Sequence, residues 1–356
     1  MPTRRPWATR STRPSPWPVR CAPRPRCLPR TGRHLRPHLA YHGATLGRRS
    51  AGGCRGSTMH IETRDAGIST PRHDRVALLV LPLATFALHA LTWAGYGIFR
   101  DELYYLACGR HLSFGYVDHP PMVALVAAAV TAVAGESLLA LRLVVALAAG
   151  LTVMTAVALA GELGGGRYAR WLAGLSAMLT PGFLGLFGVF SMNAFDLLAW
   201  AVLWWIAVRY LRTGNERLWL LFGIVAGIGL QNKVSVLFLG FGVVAGLAVA
   251  GQWRPFRRPW LYAGGLIAAV IFLPHVLWQV ANGWPTLEFM RNAMKGKNVS
   301  LSPVQYLGSQ ALNTAPTLVV WLAGLAFLLF TRRGRPFRSM GFAYLAVLGV
   351  MLVTNA

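Results

Sequence analysis

The run Pro120-Pro121-Met122-Val123-Ala124-Leu125-Val126-Ala127-Ala128-Ala129-Val130-Thr131-Ala132-Val133-Ala134-Gly135 decides how the chain is threaded. It is apolar but for Thr131, yet it has only 16 residues and opens on two prolines. A helix that crosses a ~30 Å hydrocarbon core at 1.5 Å per residue needs about 20. Around it lie longer apolar stretches, at about 76–98, 138–160, 171–190, 194–208, 218–231, 234–251, 261–281, 308–330 and 340–356. Suppose Pro120–Gly135 stays on one side. The connectors Gly161–Arg170, Arg209–Arg217, Trp253–Arg258 and Thr331–Arg338 then all share the side of the N-terminus, with 12 basic residues against Glu162 and Glu216. Suppose it crosses; every one of those loops is then pushed outside, against the preference of Lys and Arg for the cytoplasm. The first threading is the expectation, with a cytoplasmic N-terminus and Pro120–Gly135 as an interfacial or re-entrant helix in the first outer loop.

Composition agrees with a membrane protein. Of 356 residues 55% are hydrophobic and 13% charged, where a soluble domain carries about 25% charged. A cytosolic enzyme, a DNA-binding domain and a secreted disulfide scaffold are excluded. The expected class is all-α and polytopic. The stretches 194–208 and 218–231 are short enough to be tilted or partial spans. Gln231-Asn232-Lys233 interrupts 218–251, which reads as a helical hairpin with Lys233 at its outer tip.

The net charge of +24 is unevenly placed. Residues 1–58 hold 13 arginines, nine prolines and no acid, so the rest of the chain carries +11, from 22 basic and 11 acidic residues. Such a segment cannot bury enough apolar surface to fold. It reads as a disordered extension, either a basic arm for anionic lipid or nucleic acid or an over-extended start ahead of Met59. Residues 59–75 read as a cytoplasmic leader and 76–356 as the membrane module. Cys108 is the single thiol of that module, so no intramolecular disulfide framework arises there.

Six of the eight acids after residue 75 fall on the outer face of this threading, four of them in three clusters. They are Phe99-Arg100-Asp101-Glu102-Leu103-Tyr104-Tyr105, Gly115-Tyr116-Val117-Asp118-His119-Pro120-Pro121 and Ser191-Met192-Asn193-Ala194-Phe195-Asp196. Ionisable groups near membrane depth are costly and tend to serve a site. Asp101 and Glu102 point about 100° apart on a helix, so one can face a cavity while the other makes a structural contact. An aromatic interfacial belt with solvated charges explains the first cluster equally well. His119 suits a proton carrier, a phosphate contact or a polar end-cap. Lys233 suits a phosphate or a snorkelling interfacial position. His89 and His275 lie within spans and read as packing groups. Residues 282–307 form a second large outer loop, with a weak glycosylation sequon at Asn298-Val299-Ser300. No P-loop, dinucleotide fingerprint, zincin motif or Gly-x-Ser-x-Gly elbow is present.

An acidic pair just after the first span, followed by an acidic-His-Pro-Pro element that opens a juxtamembrane helix, resembles the GT-C type polyprenyl-phosphate-dependent glycosyltransferases. Among these it is most similar to family 39, the protein O-mannosyltransferase-like and aminoarabinose transferase-like enzymes. The matching stretches are Phe99–Tyr105, Gly115–Met122, Phe190–Trp200, Gly229–Leu237 and Asn282–Phe289, in the family's order across about residues 76–356. The resemblance implies a GT-C-type helix bundle in which a sugar on polyprenyl phosphate presents its headgroup outside. An acceptor hydroxyl attacks the anomeric carbon with inversion, and the lipid phosphate leaves. Asp101 then matches the catalytic aspartate and Glu102 its acidic neighbour, both catalytic candidates. Arg100, Asp118, His119, Asp196 and Lys233 are the candidates for binding the donor and its phosphate. No cofactor is fixed, and a divalent cation is used by some relatives and not by others.

The implied partners are the lipid-linked donor, carrying mannose or another hexose, membrane lipids, and a protein, lipid or glycan acceptor; nucleic acid is not among them. The implied location is a bacterial plasma membrane, crossed several times, with the site facing outside. His119 departs from the Lys of the aminoarabinose enzymes. Thr354-Asn355-Ala356 falls where family members run on into further helices, so the module is expected to be C-terminally truncated. Two alternatives are a lipid-linked substrate transporter, which should spread its charges between both faces, and a catalytically dead fragment.

Overall fold

A computed structural model describes residues 75–296 and 301–354. The extension 1–58, most of the leader, Lys297 and the sequon lie outside the described residues. All regular elements among the described residues are helical. The first are α1 (Arg75–Leu91), α2 (Arg100–Arg110), α3 (Met122–Ala134) and α4 (Leu138–Glu162). Then come α5 (Arg167–Leu179), α6 (Pro181–Leu186), α7 (Met192–Thr213), α8 (Leu218–Leu230), α9 (Val236–Val249) and α10 (Pro259–Ala281). The remainder is α11 (Pro285–Gly296), α12 (Pro303–Thr314), α13 (Leu318–Phe330) and α14 (Arg338–Thr354).

Among the described residues four segments are long and apolar enough to cross a membrane alone: α4, α7, α10 and Arg335–Thr354. The pair α12–α13 adds a fifth if it is counted as one broken span. The chain is thus an all-α polytopic membrane protein, as its composition required. α1, α8 and α9 are apolar but shorter, and α1 with 17 residues reaches about 26 Å.

α4 is the central post, with α1, α5 and α7 packed along it. Ser137 starts it by accepting a hydrogen bond from Ala140 N at 3.3 Å. α8 lies along α10, and α9 along α14. Small residues make these approaches close, since apolar lipid supplies little hydrophobic drive between helices. A Cβ at Gly223 would sit 2.1 Å from the Gly264 carbonyl oxygen, and one at Gly246 2.1 Å from that of Ser339.

Contacts between helix ends show which connectors share an end of the bundle. Arg142, near the start of α4, donates to the carbonyls of Trp93, Tyr96 and Gly97, just past the end of α1. The last turn of α1 and the first of α4 therefore share one end of the bundle. α2 and α3, which lie between them in sequence, start and finish at that end, so Pro120–Gly135 does not cross. At the opposite end Glu162 accepts from Arg209 and Arg212, and Arg254 donates to Glu216 at 2.9 Å. The basic connectors gather there, as the charge pattern required.

Several spans depart from their expected form. The first helix stops at Leu91 rather than 98, and residues 92–99 turn back towards Arg142. The stretch 171–190 breaks at Thr180-Pro181 into α5 and α6, because a proline interrupts the backbone ladder. The expected span 308–330 is two helices bent by 111° around a break containing Pro316. Conversely 194–208, expected to be short, belongs to the full 22-residue α7. Part of the loop 282–307 is helical, as α11 and α12.

Candidate functional site

The helix α2 places its two acids differently. Glu102 is fully buried. Its Oε1 accepts from Arg142 Nε at 3.0 Å and Phe190 N at 2.8 Å; its Oε2 accepts from Arg142 Nη2 at 2.8 Å and Phe99 N at 2.8 Å. Arg142 in turn spends all five N–H groups, two on Glu102 and three on the carbonyls after α1. Burial alone would raise the Glu102 carboxyl, but the Arg142 bonds and the two backbone donors outweigh it and hold it below its ordinary range. With every acceptor position filled and no solvent access, Glu102 has no lone pair to take a proton from a substrate. Its expected catalytic role does not fit this geometry; it is a clasp joining α1, α2, α4 and the start of α7.

Asp101, one residue earlier, remains open. Its side chain is 39% accessible and meets the exposed Arg100, whose Nε donates at 3.1 Å. Such an exposed pair contributes little stability. Asp101 is therefore available to an incoming group.

The second cluster folds over α2. Tyr104 donates its hydroxyl to Asp118 Oδ1 at 2.6 Å. His119 is fully buried, stacked on Tyr116 at 4.7 Å and met edge-on by Tyr104 and Tyr105 at 5.5 and 5.2 Å. Its Nδ1 lies 2.8 Å from the Pro120 carbonyl, which can only accept, so Nδ1 carries the proton in the neutral ring. Nε2 is buried with no hydrogen-bond partner, 3.9 Å from Asp118 Oδ1. Burial pushes His119 below its ordinary value, against the opposing pull of Pro120 and Asp118. The expected phosphate contact at His119 does not match a ring closed off from solvent on all sides. Burial also pushes the Tyr105 phenol up, and Asp101 and Asp118 each push it further. Both carboxylates thus lie within electrostatic reach of one hydroxyl.

The loop carrying Asp118 is pinned from the far side by α10 and by the start of α11. His275 Nδ1 lies 3.1 Å from Phe114 O, and Thr286 donates to Tyr116 O at 3.4 Å. Between these anchors Gly115 is required, because a Cβ there would lie 2.4 Å from Trp278 Cε3.

A third group gathers where α7 meets the turn between α8 and α9. All three interrupting residues are used. Gln231 donates to Ile271 O at 2.6 Å, Asn232 to Met192 O at 2.8 Å, and Lys233 Nζ to Asn193 Oδ1 at 2.8 Å. Asp196 holds Lys233 at 3.7 Å and accepts from Ser235 at 2.5 Å. Lys233 spends one N–H on Asn193 and is a third exposed, so it keeps N–H groups for a ligand. Asp196, an anion, suits orienting Lys233 better than meeting a phosphate directly. Met122 N, at the start of α3, donates to Gln231 O at 2.9 Å and joins this group to the first two. Lys233 pairs with Asp196 and not with Asp101 or Asp118 among the described residues.

Arg142, Asn193, Ser235 and Thr286 were not picked as site residues by sequence, and Tyr104 and Tyr105 were read as interfacial anchors. Arg142 could have been picked, as an arginine inside the apolar run that forms α4. Among the described residues no three His, Cys, Asp or Glu side chains come together as a metal set.

No curated protein and no solved structure matches the chain. Residues 118–278 match the family described as dolichyl-phosphate-mannose-protein mannosyltransferase, a stretch that starts at Asp118, includes His119, Arg142, Asp196 and Lys233, and leaves out Asp101 and Glu102.

Proposed function

We propose that this protein is a membrane glycosyltransferase that moves a sugar, mannose or another hexose, from a polyprenyl-phosphate donor to an acceptor hydroxyl. The observation that carries the reading is the gathering of Asp101, Asp118 and Lys233 at one end of the bundle, within and beside the segment similar to a mannosyltransferase family. In this reaction the acceptor oxygen bonds to the anomeric carbon and the bond from that carbon to the phosphate oxygen breaks. The sugar inverts, the acceptor proton passes to Asp101, and the polyprenyl phosphate departs as an anion. Asp101 suits the base because it is accessible and is not enclosed by donors. Lys233, fixed by Asn193 and Asp196, meets the charge that develops on the leaving phosphate. Glu102 and Arg142 position the helix that carries Asp101. The site end is the outer face, with the basic connectors in the cytoplasm.

The test is donor consumption by purified protein in native membranes, offered a panel of labelled polyprenyl-phosphate hexoses. Release of polyprenyl phosphate together with transfer of label to an acceptor is expected. Movement of intact donor between leaflets without cleavage would replace this reading with transport.

A further inference from the structure

The basic end of the bundle holds a cavity of about 810 Å³ that the proposed reaction does not use. Arg254, Arg257 and Arg258 line it together with Trp253, Tyr210 and Gln252, and no acid does. Glu216 occupies Arg254. Arg257 and Arg258 are exposed and make no ion pair among the described residues, so two guanidinium charges stand uncompensated at its wall. Arg258 is also the N-cap of α10, and the positive pole of that 23-residue helix falls beside it. Gln252 donates its amide to Pro336 O at 3.0 Å, while its own carbonyl oxygen is buried with no partner. It is an unused acceptor in the cavity wall.

Next to this basic cavity lies an apolar one. A cleft of about 570 Å³ runs between α8, α9 and α10, and its lining includes Phe256, Tyr262 and Gly240. Phe256 sits in sequence between Pro255 and Arg257, which line the basic cavity, so a single turn of chain faces both. Its far lining, Leu230 and Phe272, lies many residues along α8 and α10, so the cleft follows the bundle in the direction of an acyl chain.

We infer that this end binds an anionic phospholipid, with its phosphate on Arg257 and Arg258 and one acyl chain in the α8–α9–α10 cleft. Guanidinium groups match phosphate oxygens in paired geometry. Basic pockets between membrane helices on the cytoplasmic side are suited to anionic headgroups. A free phosphate would use the arginines and leave the cleft empty; a zwitterionic lipid would use the cleft but bring a cation of its own beside the arginines. Only an anionic lipid fits both. The inference is independent of any catalytic activity.

The experiment uses the full chain in neutral detergent. Phosphatidylglycerol, phosphatidylcholine and inorganic phosphate are titrated separately, with bound lipid followed by native mass spectrometry and stability by thermal melting. Phosphatidylglycerol should be retained and raise the melting temperature, and the other two should do neither. Arg257→Gln with Arg258→Gln should weaken phosphatidylglycerol at least tenfold. Arg332→Gln with Arg333→Gln, at the same end but off the cavity wall, should not. Gly240→Leu offers a test that does not depend on charge. A Cβ there meets nothing within 4 Å and Gly240 lines the cleft, so a leucine has room to start into the cleft, and retention of phosphatidylglycerol should fall. Equal retention of phosphatidylcholine, equal loss in the Arg332/Arg333 pair, full stabilisation by inorganic phosphate, or unchanged binding in Gly240→Leu would each overturn the inference.

Discussion

Replacing Glu102 with glutamine keeps the side chain's shape and removes only its charge and two of its acceptor positions. The consequence follows from the geometry. The new amide nitrogen must face either Phe99 N and Arg142 Nη2, or Phe190 N and Arg142 Nε, so a donor is set against donors on whichever side it takes. Arg142, 4% accessible, is left as a buried cation without its counter-charge. Breaking a buried pair from one side costs about 3–5 kcal/mol. At roughly 2–4 °C per kcal/mol for a domain of this order of size, melting should fall by about 6–20 °C, read by size-exclusion thermostability in detergent.

A double-mutant cycle with Arg142→Gln should show strong coupling between the two sites. The pH dependence supplies an internal check. The Glu102 carboxyl lies below its ordinary value of 4.5 when folded, so its stabilisation is complete above that value and is lost as pH falls through the folded one. The gap between wild type and Glu102→Gln should therefore close in acid. A glutamine variant that melts within 2 °C of wild type, or a gap that widens in acid, would refute the clasp.

Gly115→Ala places a methyl 2.4 Å from the Trp278 ring; a loss of about 1–3 kcal/mol and easier proteolysis of the 111–121 loop are expected, and an unchanged melt would contradict the tight approach. His119 titrates below its ordinary 6.5 when folded, so the unfolded chain binds that proton first and stability drops as pH falls through 6.5. His119→Gln should lose that component, and superimposable melting curves from pH 5 to 7.5 would argue against it. Lys233→Gln should raise KM for a polyprenyl-phosphate donor by about tenfold or more if the lysine meets the leaving phosphate, while Lys233→Arg retains most binding; equal KM values in all three would remove Lys233 from the site.

The threading was legible because it rests on lengths and charges that local sequence carries. Sixteen residues that open on two prolines cannot span, and the arginines after α4, α7, α9 and α13 mark one side. The spacing of Asp101 and Glu102, about 100° apart, likewise told that one could face outward while the other was buried. It could not tell which, because Glu102 is committed by Arg142 forty residues away and by the backbone of Phe190, 88 residues away. The breaks at Pro181 and Pro316 were missed because hydropathy summed over a window does not weigh a single residue without an N–H group. Sequence left His119 as a proton carrier, a phosphate contact or a polar end-cap, because its burial comes from Tyr104, Tyr105 and Tyr116 closing around it. No local pattern encodes that closure.

The most direct test compares wild type, Asp101→Asn and Glu102→Gln, each checked for folding, in single-turnover consumption of a polyprenyl-phosphate hexose with native membranes as acceptor source. The account predicts that Asp101→Asn melts like wild type yet loses about 100-fold or more of the rate, the range expected for a missing general base, whereas any deficit in Glu102→Gln follows its loss of folded protein. Full activity in a well-folded Asp101→Asn, or no donor consumed by well-folded wild type, would contradict it.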